Sequence, residues 1–444
     1  MVEETPRETL IEEFVARIQK GLSYRKALAA LLLAGIRNIQ PRPSVGFKFH
    51  AVLVVHSAHQ IAQASPAVDR WLPILWALDH FKASQAADAR EGDWTMSAAD
   101  PRVVRPHTDM ARAFTEAMDR WDETAADAVA ATLAEHATPE ECFELFARYA
   151  ARDIRSIGHK AIYVANGWRT LETIGWQHAA PVLRSLAYAL LAREGSDPLK
   201  GDDRVDRPWR RNRDLAARIE SGWVSGKADS KATADMLDLL RRGDESETAD
   251  GVLDLIHRGV GAESVWDALM AGAAELLMRN PGIFSLHAVT TANAMRTLYE
   301  RSTSDETRRM ILLQFASFLP FYRRGSGSDV RIDQLVPLEE SAGPTVEDIC
   351  GAIGRDNSAA ARQVLSYLAR SSSPKALFDA LNRLVFLKGN DSHDYKFSAA
   401  ALEDYYRLSP DWRDRYLAAS VFWLNGHGAP DNGLVTRARH ALGS

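Results

Sequence analysis

The sequence predicts an all-α protein. Apolar residues recur at helical spacing along nearly the whole chain, and no segment alternates with period two over several strands. The outline of a helix, a polar break, a second helix and a breaker also returns four times, with a repeat of about 110 residues. A helix pair cannot bury its apolar face alone, so such units are expected to stack. The expectation is a single all-helical domain over 1–444, built from repeats at roughly 1–104, 105–215, 216–330 and 331–444.

In chain order, Thr5-Pro6 has the form of a hydroxyl N-cap with proline at the first helical position, opening "ETLIEEFVARIQKG". Ser23 caps the next helix. Gln40 to Gly46 reads as a breaker, followed by a helix carrying His50 and another from about Asp69 to Gln85. Residues 86–105 read as irregular. Thr138-Pro-Glu-Glu141 has capping-box spacing. The corresponding helices of the later repeats start near Ala262 and at Ser373. The stretches Gly195 to Asn212 and Arg323 to Gly343 read as long loops.

Composition narrows the function. Net charge is −5 with no basic tail, which gives no support to nucleic-acid binding. The two cysteines, Cys142 and Cys350, cannot make a disulfide framework and fit a reducing compartment. The apolar run Ala27 to Ile36 is too short to span a bilayer and follows acidic residues rather than a basic leader, so a cytoplasmic protein without membrane partners is expected. There is no glycine-rich phosphate loop, no dinucleotide fingerprint, no H-E-x-x-H and no G-x-S-x-G. Flavin, NAD and nucleotide cofactors are therefore not expected.

The repeat itself points to a site. When its copies are superposed ("GHKAIYVANG", "FHAVLVVHSAH", "LHAVTTANAMRTLY" and "YKFSAAALEDYY"), His50, His159, His287 and Lys396 share one column, separated by 109, 128 and 109 residues. His393 lies three residues before Lys396, and residues at i and i+3 share a helix face. Four imidazoles suit iron, copper, zinc or nickel. A protonated lysine has no lone pair, so Lys396 must be neutral, be carboxylated by carbon dioxide, or stand outside the ligand shell. The competing reading is that histidine fills this slot for packing, donating to a backbone carbonyl. Tyr163, one turn beyond His159, is the candidate catalytic side chain. His56 and His59 point about 120° and 180° away from His50 around their helix, so the three cannot meet one ion. His80 and His178 read as interior hydrogen-bonded histidines, yet they and His56 and His59 remain alternative ligands. His107, His136, His257, His427 and His440 read as surface residues.

On these residues the chain resembles the questin oxidase-like family, all-helical oxygenases of aromatic polyketide metabolism. The resemblance rests on "FSLHAVTTAN" (Phe284 to Asn293), on "HKAIYVANG" (His159 to Gly167), similar to the family's H-x-x-I-H-x-G pattern, and on "HDYK" (His393 to Lys396), similar to its H-x-x-K element. Tyr163 stands where that pattern has its second histidine. The resemblance implies a mononuclear non-haem Fe(II), held by His159, His287, His393 and a carboxylated Lys396, with His50 from a histidine-rich first motif. It implies dioxygen and a small organic substrate, but not an anthraquinone in particular. The expected function is thus a metal-dependent oxygenase. The alternatives are a zinc-type metal hydrolase and a non-catalytic helical scaffold.

Overall fold

The computed structural model describes residues 1–42, 48–100, 109–153, 155–193, 200, 202–323, 327–339 and 343–443. Among them every regular element is helical, and the one extended pairing is an isolated bridge between Lys227 and Val260. The all-α expectation therefore holds. No helix among the described residues is long and apolar enough to cross a membrane.

The chain divides into two compact units, 1–203 with 433–444, and 204–432. The first contains α1 (Arg7–Gln19), α2 (Tyr24–Asn38), α3 (His50–Leu53), α4 (Val55–Ala64), α5 (Leu72–Arg90), α6 (Met110–Asp119), α7 (Glu123–His136), α8 (Pro139–Ala150), α9 (His159–Ile174) and α10 (Ala179–Leu191). The second contains α11 (Arg207–Ala217), α12 (Ser230–Arg242), α13 (Glu245–His257), α14 (Ala262–Arg279), α15 (Ile283–Arg301), α16 (Asp305–Tyr322), α17 (Val346–Ala352), α18 (Asn357–Leu368), α19 (Lys375–Lys388), α20 (Ser392–Asp404) and α21 (Pro410–Ser420). The last helix, α22 (Gly433–Leu442), returns to the first unit. There Arg437 pairs with Glu12 at 2.7 Å and Arg439 with Asp69 at 3.0 Å.

Local chemistry sets most helix starts. The Ser23 hydroxyl accepts from the Lys26 amide, and Thr138 with Glu141 forms a reciprocal capping box at α8. Asp244 with Glu247, Thr345 with Asp348, and Asp391 with Asp394 do the same at α13, α17 and α20. Four expectations need correction. Pro6, not Thr5, is the N-cap of α1, and the Thr5 hydroxyl turns to Glu13 at 3.4 Å. Helix α5 runs on to Arg90 because Asp88 is buried. Its carboxylate accepts from the Trp94 amide six residues on and from the Gln40 amide and Lys48, which are far off in sequence. Helix α11 begins inside the expected loop at Arg207, where Pro208 sits harmlessly in the first turn. Helix α19 starts at Lys375 after Pro374, with the Ser373 hydroxyl accepting from the Lys375 amide. Parts of the breaker at 40–46 and of both long loops lie outside the described residues, as does His107.

Helices α9 and α15 are buried on every face over most of their length. Every residue of α9 from His159 to Leu171 is buried, as is every residue of α15 from Ser285 to Tyr299. A helix with no solvated face belongs to a core, and its polar side chains must be satisfied internally. Thr170 and Thr297 bond back to the carbonyls of Asn166 and Asn293, and Arg169 donates to Asn166 Oδ1 at 2.6 Å. These two core helices carry His159 and His287.

Candidate metal centre

In the first unit, His50 is the first residue of α3 and His159 the first of α9. Their rings meet edge to face with centroids 4.8 Å apart. The start of α9 is held hard. The Lys160 ammonium is buried, donates to Asp153 Oδ2 at 2.7 Å and to the carbonyls of Leu190 and Ala192, and lies 5.2 Å from the centre of the Trp121 ring. Ile157 has φ of 46° and Gly158 φ of 84°. A β-branched residue in the left-handed region is strained, and such strain persists only where the surroundings over-determine it. Helices α3 and α9 are joined by Asn166 Nδ2 donating to the Leu53 carbonyl at 3.4 Å. Tyr163 stands edge-on to Phe49 at 4.9 Å, the residue before His50. The fully buried Tyr163 hydroxyl donates to Ser185 Oγ at 2.7 Å, and burial pushes its pKa up. The structure thus gives Tyr163 a positioning contact with the head of α3.

In the second unit, His287 and His393 make the same arrangement, edge to face with centroids 5.1 Å apart. Here the tautomers are fixed. His287 Nδ1 lies 2.6 Å from the Ile283 carbonyl, which can only accept, so Nδ1 carries the proton and Nε2 keeps a lone pair. His393 Nδ1 lies 2.6 Å from Asp391 Oδ1. Burial would raise the Asp391 carboxyl, but its bonds to the His393 ring and amide hold it well below the usual range. It is therefore an acceptor, and His393 Nε2 is also the free-electron-pair nitrogen. These are the carbonyl–histidine and carboxylate–histidine supports that orient metal ligands. Burial pushes the His287 imidazole well below its ordinary pKa, with Lys396 and His393 adding to the effect. His393 is lowered by burial in spite of its bond to Asp391. Both are held neutral, the ligating form.

Lys396 follows His393 by one turn of α20 and is fully buried. Burial lowers its ammonium to about 7, and among the described residues its Nζ has no hydrogen-bond partner. Helices α15 and α20 are locked together below this point. Asn293 Nδ2 donates to Asp404 Oδ1 at 2.7 Å and the Tyr416 hydroxyl to Asp404 Oδ2 at 3.0 Å. Burial raises that carboxyl to about 6.

One ligating atom from each of His50, His159, His287 and His393, all buried, lies within 4.8 Å of the others, a group that could hold a metal ion. With metal–nitrogen bonds of about 2.1 Å, two ligands of one ion stand at most about 4.2 Å apart. The all-imidazole donor set fits a divalent transition metal. The alternative ligands stand elsewhere. His59 Nδ1 is 3.0 Å from the Tyr24 hydroxyl, with His56 beside it at 6.0 Å between ring centres. His80 stacks on Trp76, and His178 sits in the short turn before α10. His136, His257 and His440 are exposed, and His427 pairs with Glu347 at 3.1 Å.

Asp391 is the residue that sequence reasoning passed over. Its signal was present: an aspartate two residues before His393, at the start of a helix. Asp391→Ala is expected to weaken metal binding about 10- to 100-fold, as loss of an outer-shell partner does. Titration with a competing chelator checks this, with circular dichroism to show that α20 survives loss of its cap.

What the fold and site define is an all-helical protein with a buried four-histidine group compatible with metal binding. No protein-family model, curated protein or solved structure matches the chain.

Proposed function

We propose that the four-histidine group is the iron centre of an oxygenase acting on a small organic substrate, aromatic compounds included, with dioxygen as co-substrate. The observation that carries this reading is the clustering of four buried imidazoles, two with the tautomer that presents Nε2. A structural histidine needs no such convergence. The resemblance to the questin oxidase-like family points the same way and supplies the choice of iron over zinc. When bound, a redox-active divalent ion would supply the electrons that dioxygen chemistry needs.

The chain's own residues do the rest. Ile283 and Asp391 aim the His287 and His393 rings, while the locked turn before α9 fixes His159. Lys396, with an amine that is partly neutral near pH 7, is the candidate for reaction with carbon dioxide. The amine nitrogen bonds to the carbon, one amine proton passes to water, and the product is a carbamate anion. That group would give an otherwise all-nitrogen set one oxygen donor.

Metal content and oxygen uptake of tag-free protein test the reading. Near-stoichiometric iron and substrate-dependent oxygen consumption are expected. Stoichiometric zinc without oxygen uptake would favour the hydrolase, and absence of any metal would favour the scaffold.

A further inference from the structure

A second candidate site lies within unit 204–432, at the start of the helix that carries His287. A cavity of about 230 Å³ opens at the first turn of α15. Three arginines line it, Arg241, Arg279 and Arg323, together with Ile283, Ser285 and Tyr322, and no aspartate or glutamate is among the described lining residues.

The three guanidiniums are not equivalent. Arg241 is saturated: it pairs with Glu275 at 2.6 Å, Asp238 at 2.5 Å and Asp333 at 2.8 Å, and these carboxylates raise its pKa in spite of burial. Arg279 is loosely held, 3.5 Å from Glu275 and 3.8 Å from the exposed Asp329, with Nε on the Ser328 carbonyl. Arg323 has no carboxylate within ion-pair distance among the described residues. Its bonds go to the carbonyls of Arg241 and Gly243 at the end of α12. Burial pushes it below its ordinary value, and the distant Asp244 and Glu247 do not reverse this. A half-buried guanidinium has five N–H groups, and two backbone carbonyls use only part of them.

We propose that this cavity binds a small oxyanion, the carboxylate or phosphate group of a metabolite, with Arg323 as its principal counter-charge and Arg279 as a second donor. Planar guanidiniums bind such groups through paired, charge-assisted hydrogen bonds. The positive end of the 19-residue helix α15 adds to the same field. The site does not depend on the metal reading.

The test is calorimetric titration of the full chain, at constant ionic strength in chloride-free buffer, with inorganic phosphate and separately with benzoate. Saturable one-to-one binding of either is expected. Phosphate alone would identify a phosphate-bearing ligand and benzoate alone an organic acid. Arg323→Gln should weaken binding about tenfold or more, the loss of one charged hydrogen-bonding partner. The exposed Arg120→Gln should change nothing. Because Arg323 also holds the end of α12, Ile283→Trp provides a second variant that fills the cavity and leaves all three guanidiniums in place. This variant should abolish binding. Treatment with EDTA should leave the affinity unchanged. No binding of either anion overturns the proposal, as does full binding by folded Arg323→Gln or by Ile283→Trp. Loss of binding on chelation would place the anion on a metal instead and overturn it as well.

Discussion

Replacing His159 or His287 by alanine is expected to remove most bound metal while helical content stays intact. Each substitution deletes one of the four nitrogens of a buried group that could hold a metal ion. Loss of a mere outer-shell partner already costs about 10- to 100-fold in affinity, so loss of a direct ligand should exceed this. The helices should tolerate the change. His159 heads a helix anchored by Lys160 and Asp153, and His287 lies on a helix tied to α20 through Asn293 and Asp404. His136→Ala and His440→Ala, on exposed surface, should keep full occupancy. Elemental analysis of the four proteins, beside far-ultraviolet circular dichroism, checks the set. Full metal occupancy in His159→Ala would return that histidine to a packing role.

The same residues show what the sequence disclosed and what it hid. His50, His159, His287 and His393 could be named from the sequence because superposing its recurring outline puts three of them in one column and i, i+3 spacing adds the fourth. The helix starts at Ser23, Thr138 and Ala262 were legible because caps and breakers act over three or four residues. Helix α5 was read too short because the partners that hold Asp88 come from Gln40, Lys48 and Trp94. The polar run before Asn212 masked α11 because arginines on a solvated helix face look like a loop. The competing packing idea, a histidine donating to a backbone carbonyl, describes His287 and Ile283 as they stand. That bond and ligation are compatible, since it occupies Nδ1 and leaves Nε2 for the ion. The unbalanced charge of Arg323 could not be read at all, because every arginine looks alike until its carboxylates are located.

Lys396 provides the sharpest energetic expectation. In the fold its ammonium is lowered from 10.5 to about 7 by burial, with only Asp391 acting in the opposite direction. The gap corresponds to a cost on the order of 5 kcal/mol for keeping the charged form. In metal-free protein, between about 7 and 10.5, the unfolded chain holds a proton on this amine that the native chain does not. Stability should therefore rise with pH across that window, level off above 10.5, and be lowest below about 7, where the full cost is present. Lys396→Met, of similar length and without the charge, should flatten this slope and raise the stability of metal-free protein near pH 7. If Lys396 is carboxylated in the loaded protein, the same variant should lose metal or turnover, and added bicarbonate should not restore either. A short carboxylic acid, able to stand in for the missing oxygen donor, should restore part. Thermal unfolding from pH 6 to 10 with chelator present measures the first effect, and a carbon-13 carbamate resonance in labelled bicarbonate measures the second. A wild-type stability curve flat across the window would show an amine that reaches water. Retention of metal and turnover by Lys396→Met would remove the lysine from the site while leaving the four histidines as its ligands.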